Sequence, residues 1–414
     1  VALTYRQGTF TVATVTGNQV VDTGSGVVIK ALILFGTPQT AEGFTANDSG
    51  FISLNSATVV KSITWASDDN LASSNAAMGI NNECLRIYSN GTPTTDAIAT
   101  TVTFNTGADA GKFTINVTDA AGSAWIVHYI ALGGTDLTNV FVGSFAAPTA
   151  TGSRADTGVG FQGDTLITIG ANKTALPTNT ANIGAGMGAA ISSTERGAIR
   201  WGNRDAHASN TVHFRSITKC LLIGSANGNG AMNEADFTSF DADGYTLNWT
   251  AGTVANIYAV MVLKGLRNDI ASILTPAATG NQSFTTTFDQ ASGGVFFFGT
   301  GQTTADATQA AELHVCLGVM GESPLTEGHI WTSSDNAATN DSNKRTVTTK
   351  CIGVGVNPAT VAAEADAVSL NTDGYTIGWT TVRQNSHFFG LAFAAAAVVA
   401  ATQPFNLSLT GAGI

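Results

Sequence analysis

The chain has 414 residues, only 11% of them charged, with 18 basic residues against 29 acidic ones and a net charge of −11. That length allows roughly two to four domains with cores of their own, and the thinly spread Lys and Arg exclude nucleic acid as a partner on electrostatic grounds. The longest apolar stretch, from Gly390 to Ala401, is alanine-rich and too short to cross a bilayer as a helix, so no membrane partner is expected.

So few charges leave the surface to Thr, Ser, Asn and Gly, which suits a protein packed against neighbours. The start of the chain, from Val1 to Phe10, lacks the basic and apolar regions of a signal peptide, and loss of an initiator Met alone is expected. Cys84, Cys220, Cys316 and Cys351 form no C-x-x-C pair and are expected to be small buried apolar residues.

In chain order, Gly8-Thr9-Phe10 is followed by the turn-like Thr16-Gly17-Asn18-Gln19 and by Ala31-Leu32-Ile33-Leu34-Phe35, a predicted fully buried strand. Trp65 comes next, in TWASDD, and Cys84 follows it by 19 residues. After Gly111, Phe113, Ile115 and Val117 alternate with Thr114, Asn116 and Thr118, the period of a half-buried strand. The apolar run WIVHYIAL from Trp125 closes this set.

The same order then returns twice. Gly143-Ser144-Phe145, Thr151-Gly152-Ser153-Arg154, Trp201 and Cys220 lead to Asp243-Gly244, the alternating Tyr245, Leu247 and Trp249, and IYAVMVL from Ile257. Thr279-Gly280-Asn281-Gln282, the buried run Val295-Phe296-Phe297-Phe298, Trp331 and Cys351 lead to Asp373-Gly374, Tyr375, Ile377 and Trp379, and HFFGLAF from His387. A small residue, Gly50, Gly186 or Cys316, stands 15 residues before each tryptophan, and the tryptophans are 136 and 130 residues apart. Ordered markers at such constant spacing define three copies of one domain of about 130 residues.

The predicted domains are 1–142, 143–271 and 272–394, with 395–414 as an extended C-terminal arm containing Gln403-Pro404-Phe405-Asn406-Leu407. The joins are short and carry no Pro- or Ser-rich linker, so the copies are expected to pack closely. Asp-Gly turns, short strands and the absence of a capped helical period predict an all-β chain of three tandem β-sandwich, jelly-roll-like domains.

Catalytic chemistry finds no footing. His128, His207, His213, His314, His329 and His387 do not share a position among the copies, and neither G-x-S-x-G nor H-E-x-x-H occurs. The glycines within 184–188 and 224–230 complete no dinucleotide fingerprint. Asp241-x-Asp243-Gly244 resembles part of a calcium loop but lacks the later ligands, and it is expected to form a turn. No catalytic, cofactor-binding or metal-ligating residue is assigned, and a non-enzymatic protein without cofactor is expected.

One feature does recur. Trp65, Trp201 and Trp331 are followed at three or four residues by Asp68 (with Asp69), Asp205 and Asp335. These are candidate glycan-binding residues, because aromatic faces pack on sugar rings (compare the ring geometry of). The competing expectation is a core tryptophan bracing the sandwich, with the aspartates forming turns.

The pattern GTF…TGNQ, ALILFGTPQTAEGF, ITWASDDN, DADGYTLNWT and SAWIVHYIALGG resembles tandem-repeat virion structural proteins of tailed bacteriophages, over nearly the whole chain except its last 20 residues or so. The resemblance implies a particle component with no catalytic residues to carry over. Copy one departs from it at Asn116-Val117, and copy three lacks the GVGF of Gly158 to Phe161. The expected function is an outer head decoration or cement protein that stabilises the capsid through lattice contacts, its three domains set about a pseudo-threefold axis. Its partners would be other virion proteins, the major capsid protein or tail components, and its place the virion surface after synthesis in the host cytoplasm. The alternative is a carbohydrate-binding tail fibre or receptor-binding protein recognising a host glycan.

Overall fold

The computed structural model describes residues 3–208, 210–225, 231–287, 293–304, 306, 310–321, 325–356 and 359–394. The expected C-terminal arm at 395–414, the apolar run beyond residue 394 and the glycines of 226–230 lie outside the described residues. Among the described residues, apart from a 3-10 turn at Gly107–Asp109, the regular structure is antiparallel β-sheet. The strands of the described residues fall into three sets of eleven, one set per repeat.

Each repeat is a sandwich. Its second, tenth, ninth and eighth strands form a four-stranded sheet, and six others form most of a seven-stranded sheet. The chain alternates between sheets, as in a jelly roll, only for its first three and last two strands; strands five to seven and eight to ten are plain meanders. The first strands of repeats two and three, Asn139–Ala146 and Arg267–Leu274, begin ahead of residues 143 and 272. The boundaries read from the sequence therefore cut through a strand. The Gly-x-Phe marker lies in the later half of that strand, as Gly8 and Phe10 lie within Leu3–Thr11.

The small sheets are half-buried, which is why their strands alternate. In Lys112–Asp119 the side chains of Phe113, Ile115 and Val117 are buried beneath the outward Thr114, Asn116 and Thr118. The hairpin before this strand needs its glycine twice over in repeats two and three. Gly244 and Gly374 have φ of +134° and +156°, and a Cβ there would fall 2.1 Å from the Asp156 carbonyl oxygen and 1.9 Å from that of Phe284. The cysteine markers also have a local reason. Cys84, Cys220 and Cys351 are buried and free, and each donates its backbone N–H to the carbonyl of Ala99, Ala235 or Ala365 at 2.9–3.0 Å.

The large sheets are buried on both faces, so their strands are continuously apolar. In Ile29–Gly36, Leu32 and Leu34 point into the sandwich core of repeat one, whereas Ala31, Ile33 and Phe35 point the other way. That second face joins a core shared by all three repeats, containing Ile63, Trp65, Met187, Trp201, Val315 and Ile330. Three sandwich cores thus surround one common core.

The repeats are also interlocked. The seventh strand of each large sheet is the fourth strand of another repeat. Thr178–Ala181 of repeat two pairs with Ala76–Asn81 of repeat one, and Ala310–Ala311 of repeat three with Thr211–Ser216 of repeat two. Gly43–Ala46 of repeat one closes the cycle on Ser342–Val347 of repeat three. One chain therefore builds a closed pseudo-threefold ring in which no large sheet is complete without its neighbour.

Candidate functional site

The recurring tryptophans sit where the ring closes. Trp65 and Trp201 meet edge to face at 5.0 Å between ring centroids, both 0% exposed, in the shared core. The Trp65 Nε1–H points to Asp48 Oδ1 at 3.2 Å and to Thr332 Oγ1 of repeat three at 3.3 Å. Gly50 lies opposite Trp65, and a Cβ on it would come within 2.5 Å of the indole.

Trp331, 1% exposed, belongs to the sandwich core of repeat three instead. Each tryptophan stands five residues beyond the start of its strand, where Val60, Arg196 and Thr326 pair with Asn55, Ala190 and Gly321, but the faces are exchanged in repeat three, where Ile330 lies in the shared core. The residue facing the shared core in repeat three is Thr332, one beyond Trp331, as its bond to Trp65 shows. Neighbouring residues of a strand point to opposite faces, so Trp331, between Ile330 and Thr332, turns away from the shared core. The hairpin of repeat two is longer by one residue, so Trp201 faces Ala185, not Gly186. All three tryptophans are therefore core residues, and none presents a ring face on which a sugar could stack.

The acidic residues beside them lock the ring. Asp205 Oδ1 accepts the backbone N–H of Ala76 in repeat one at 2.9 Å. Asp69 Oδ1 accepts that of Ser342 in repeat three at 2.8 Å, and Asn336 Oδ1 accepts that of Thr211 in repeat two at 2.5 Å. In each case the donor is the first residue of the strand that receives the neighbour's fourth strand. The carboxylates of Asp68 and Asp335 bond within their own repeats, Asp68 accepting from Gly91 N–H and the Asn75 amide, Asp335 from the N–H groups of Ala337 and Asp341. The six candidate glycan residues thus divide into core, latch and loop, and they share no open surface.

Each donated strand reaches its neighbour through a left-handed residue, Asn47, Asn182 or Glu312, with φ of +68°, +70° and +73°. Asparagine tolerates that region better than most residues. Two of the hinges are fastened alike: the Asn47 and Asn182 carboxamide oxygens accept the N–H of Asp69 and Asp205 at 2.9 and 3.0 Å. Buried cationic or imidazole groups cap the hinge carbonyls. Lys344 Nζ donates to Ala46 and Asn47, Lys173 Nζ to Ala181 and Asn182, and His213 Nδ1 lies 2.7 Å from the Glu312 oxygen. Burial draws both lysines down to about 8. It pushes Asp48 up to about 7, against the hydrogen bonds of Thr332 and Trp65 and the charge of Lys344.

Histidines also serve the seams. His128 Nε2 meets Thr346 Oγ1 of repeat three at 2.9 Å and stacks on Phe35. The His213 and His314 rings stack across the seam of repeats two and three at 4.9 Å. Among the described residues no group of three or more His, Cys, Asp or Glu is placed to hold a metal ion. The Asp241-x-Asp243 turn spends its carboxylates on Ser239, Thr246 and Gly160.

The interlocking strands, the hinges and the latches were not anticipated from the sequence. The asparagine preceding a buried strand in two repeats is the one signal that could have marked a hinge. No protein-family model matches this chain, and no curated protein matches it.

Proposed function

We propose that this chain is a structural protein of a tailed-bacteriophage virion, an outer head decoration or cement protein acting through lattice contacts. The observation that carries the reading is the cyclic strand exchange. A single polypeptide forms a closed pseudo-threefold unit whose recurring residues serve its own integrity, the architecture required of one chain filling a threefold position in a lattice. A surface poor in charge fits permanent packing against neighbours. The tail-fibre lectin alternative loses the tryptophans that motivated it, because their faces are buried.

Reconstruction of purified particles is the test. Density of this size should stand at threefold-related sites on the head, in symmetric copy number. Finding the chain only at the tail tip would overturn it.

A further inference from the structure

Repeat two carries a pocket at a position where repeat one has a tryptophan. The residue before the last strand is Trp125 in repeat one and Asn256 in repeat two. Their backbones are equivalent, since Val12 N–H and Ala147 N–H donate to their carbonyls, while their own N–H groups donate two residues back to Ser123 and Val254. The indole of Trp125 packs into the sandwich core of repeat one. Around Asn256 there is instead an open pocket of about 420 Å³, lined also by Asn172, Lys173, Thr178, Met232 and Val254.

The polar groups of that pocket are set for a particular ligand chemistry. Asn256 is 0% exposed, and its orientation is fixed by a relay of amides. Asn233 Nδ2 donates to the Val254 carbonyl at 2.9 Å, so Asn233 Oδ1 must accept, and it takes its proton from Asn256 Nδ2 at 2.7 Å. Asn256 Oδ1 is left buried without a partner, as is Asn172 Oδ1. Such buried acceptors are costly unless something donates to them. Lys173, 6% exposed, gives two of its three N–H bonds to the Ala181 and Asn182 carbonyls and keeps one. Gln39 and Gln302 occupy its position in the other repeats, where their carbonyls likewise accept the N–H of the last strand's first residue.

We propose that this pocket binds a neutral, hydroxyl-rich ligand, a monosaccharide unit of a glycan. Hydroxyls donate to the two carboxamide oxygens, which a small side-chain shift must first uncover, and accept from the lysine, while Met232 and Val254 offer an apolar wall to the C–H face of the ring. A carboxylate could accept from Lys173 but has no proton for either asparagine, and inorganic phosphate, which keeps one or two protons, brings a charge that must be desolvated against a single buried lysine. The site does not depend on where in a particle the chain resides.

The test is ligand-observed NMR on the full chain with glucose, galactose and N-acetylglucosamine, and inorganic phosphate as the anionic control. At least one sugar should bind saturably, and Asn256→Trp, which restores the residue of repeat one, should weaken it at least tenfold. Lys173→Gln, which restores the residue of the other repeats, should also weaken it and decides the matter if Asn256→Trp does not fold. Binding of no sugar, binding of phosphate alone, or undiminished sugar binding in the folded variants would overturn the proposal.

Discussion

Asp205 of repeat two holds the backbone N–H of Ala76 in repeat one at 2.9 Å, at the point where the receiving strand of repeat one begins. Asp69 and Asn336 make the same bond at the other two seams, so the contact belongs to the ring and not to one loop. Asp205→Ala leaves the Ala76 N–H without its acceptor, and a loss of about 1–3 kcal/mol is expected in urea unfolding. Asp205→Asn should recover most of it, since Asn336 already does this work in repeat three. Equal losses in the two variants would show that charge, not the bond, matters.

Trp65 fills the shared core and binds repeat three through Thr332. Trp65→Ala should cost about 3–5 kcal/mol by creating a cavity where the repeats meet. Denaturant midpoints check this. A stable, fully folded Trp65→Ala protein would mean that the indole is not part of the core.

The hinges differ in quality. Glu312 adopts the left-handed conformation that asparagine takes in the other repeats. Glu312→Asn should raise stability by about 0.5–1 kcal/mol, and Asn182→Ala should lower it by about 1–2 kcal/mol. Thermal melts of the two single variants give the comparison; the opposite order would remove the hinge argument.

Much of the sandwich was legible in the sequence because its small sheets are half-buried: Phe113, Ile115 and Val117 alternate with polar residues, and Gly244 and Gly374 mark tight hairpins. The central ring was not. The donated segments Gly43–Ala46, Thr178–Ala181 and Ala310–Ala311 are too short and mixed to show a period. Strands buried on both faces, such as Asp48–Ser56, carry no alternation to say which side faces which core. Trp331 misled for the same reason. Its place in the strand matches that of Trp65 and Trp201, but the strand of repeat three turns its other face, with Ile330 and Thr332, to the shared core.

Acid should loosen the protein. Burial holds the imidazoles of His128, His213 and His329 at about 3, below their ordinary 6.5. Between those values the unfolded chain binds protons that the folded chain refuses, so the stability present above pH 6.5 is lost as pH falls toward 3. Each histidine contributes about 1.4 kcal/mol per pH unit in that window. Asp48 and Glu327, raised by burial to about 7, act in the opposite sense above their ordinary range, so the net loss steepens below about pH 4. His128→Gln, whose amide nitrogen can replace Nε2, should flatten the pH dependence by one histidine's share. Identical pH slopes in the two proteins would contradict the assignment.

If strands are exchanged between repeats, a designed disulfide can join a donated strand to the strand that receives it. Ala77 of repeat one and Ala181 of repeat two lie opposite each other in the pairing of receiving and donated strands, within the range of a disulfide. The double variant Ala77→Cys, Ala181→Cys is oxidised, digested and mapped by mass spectrometry. A disulfide should join these two positions within a single monomeric chain. A chain that stays uncross-linked, or that forms only covalent dimers, would contradict the interlocked ring.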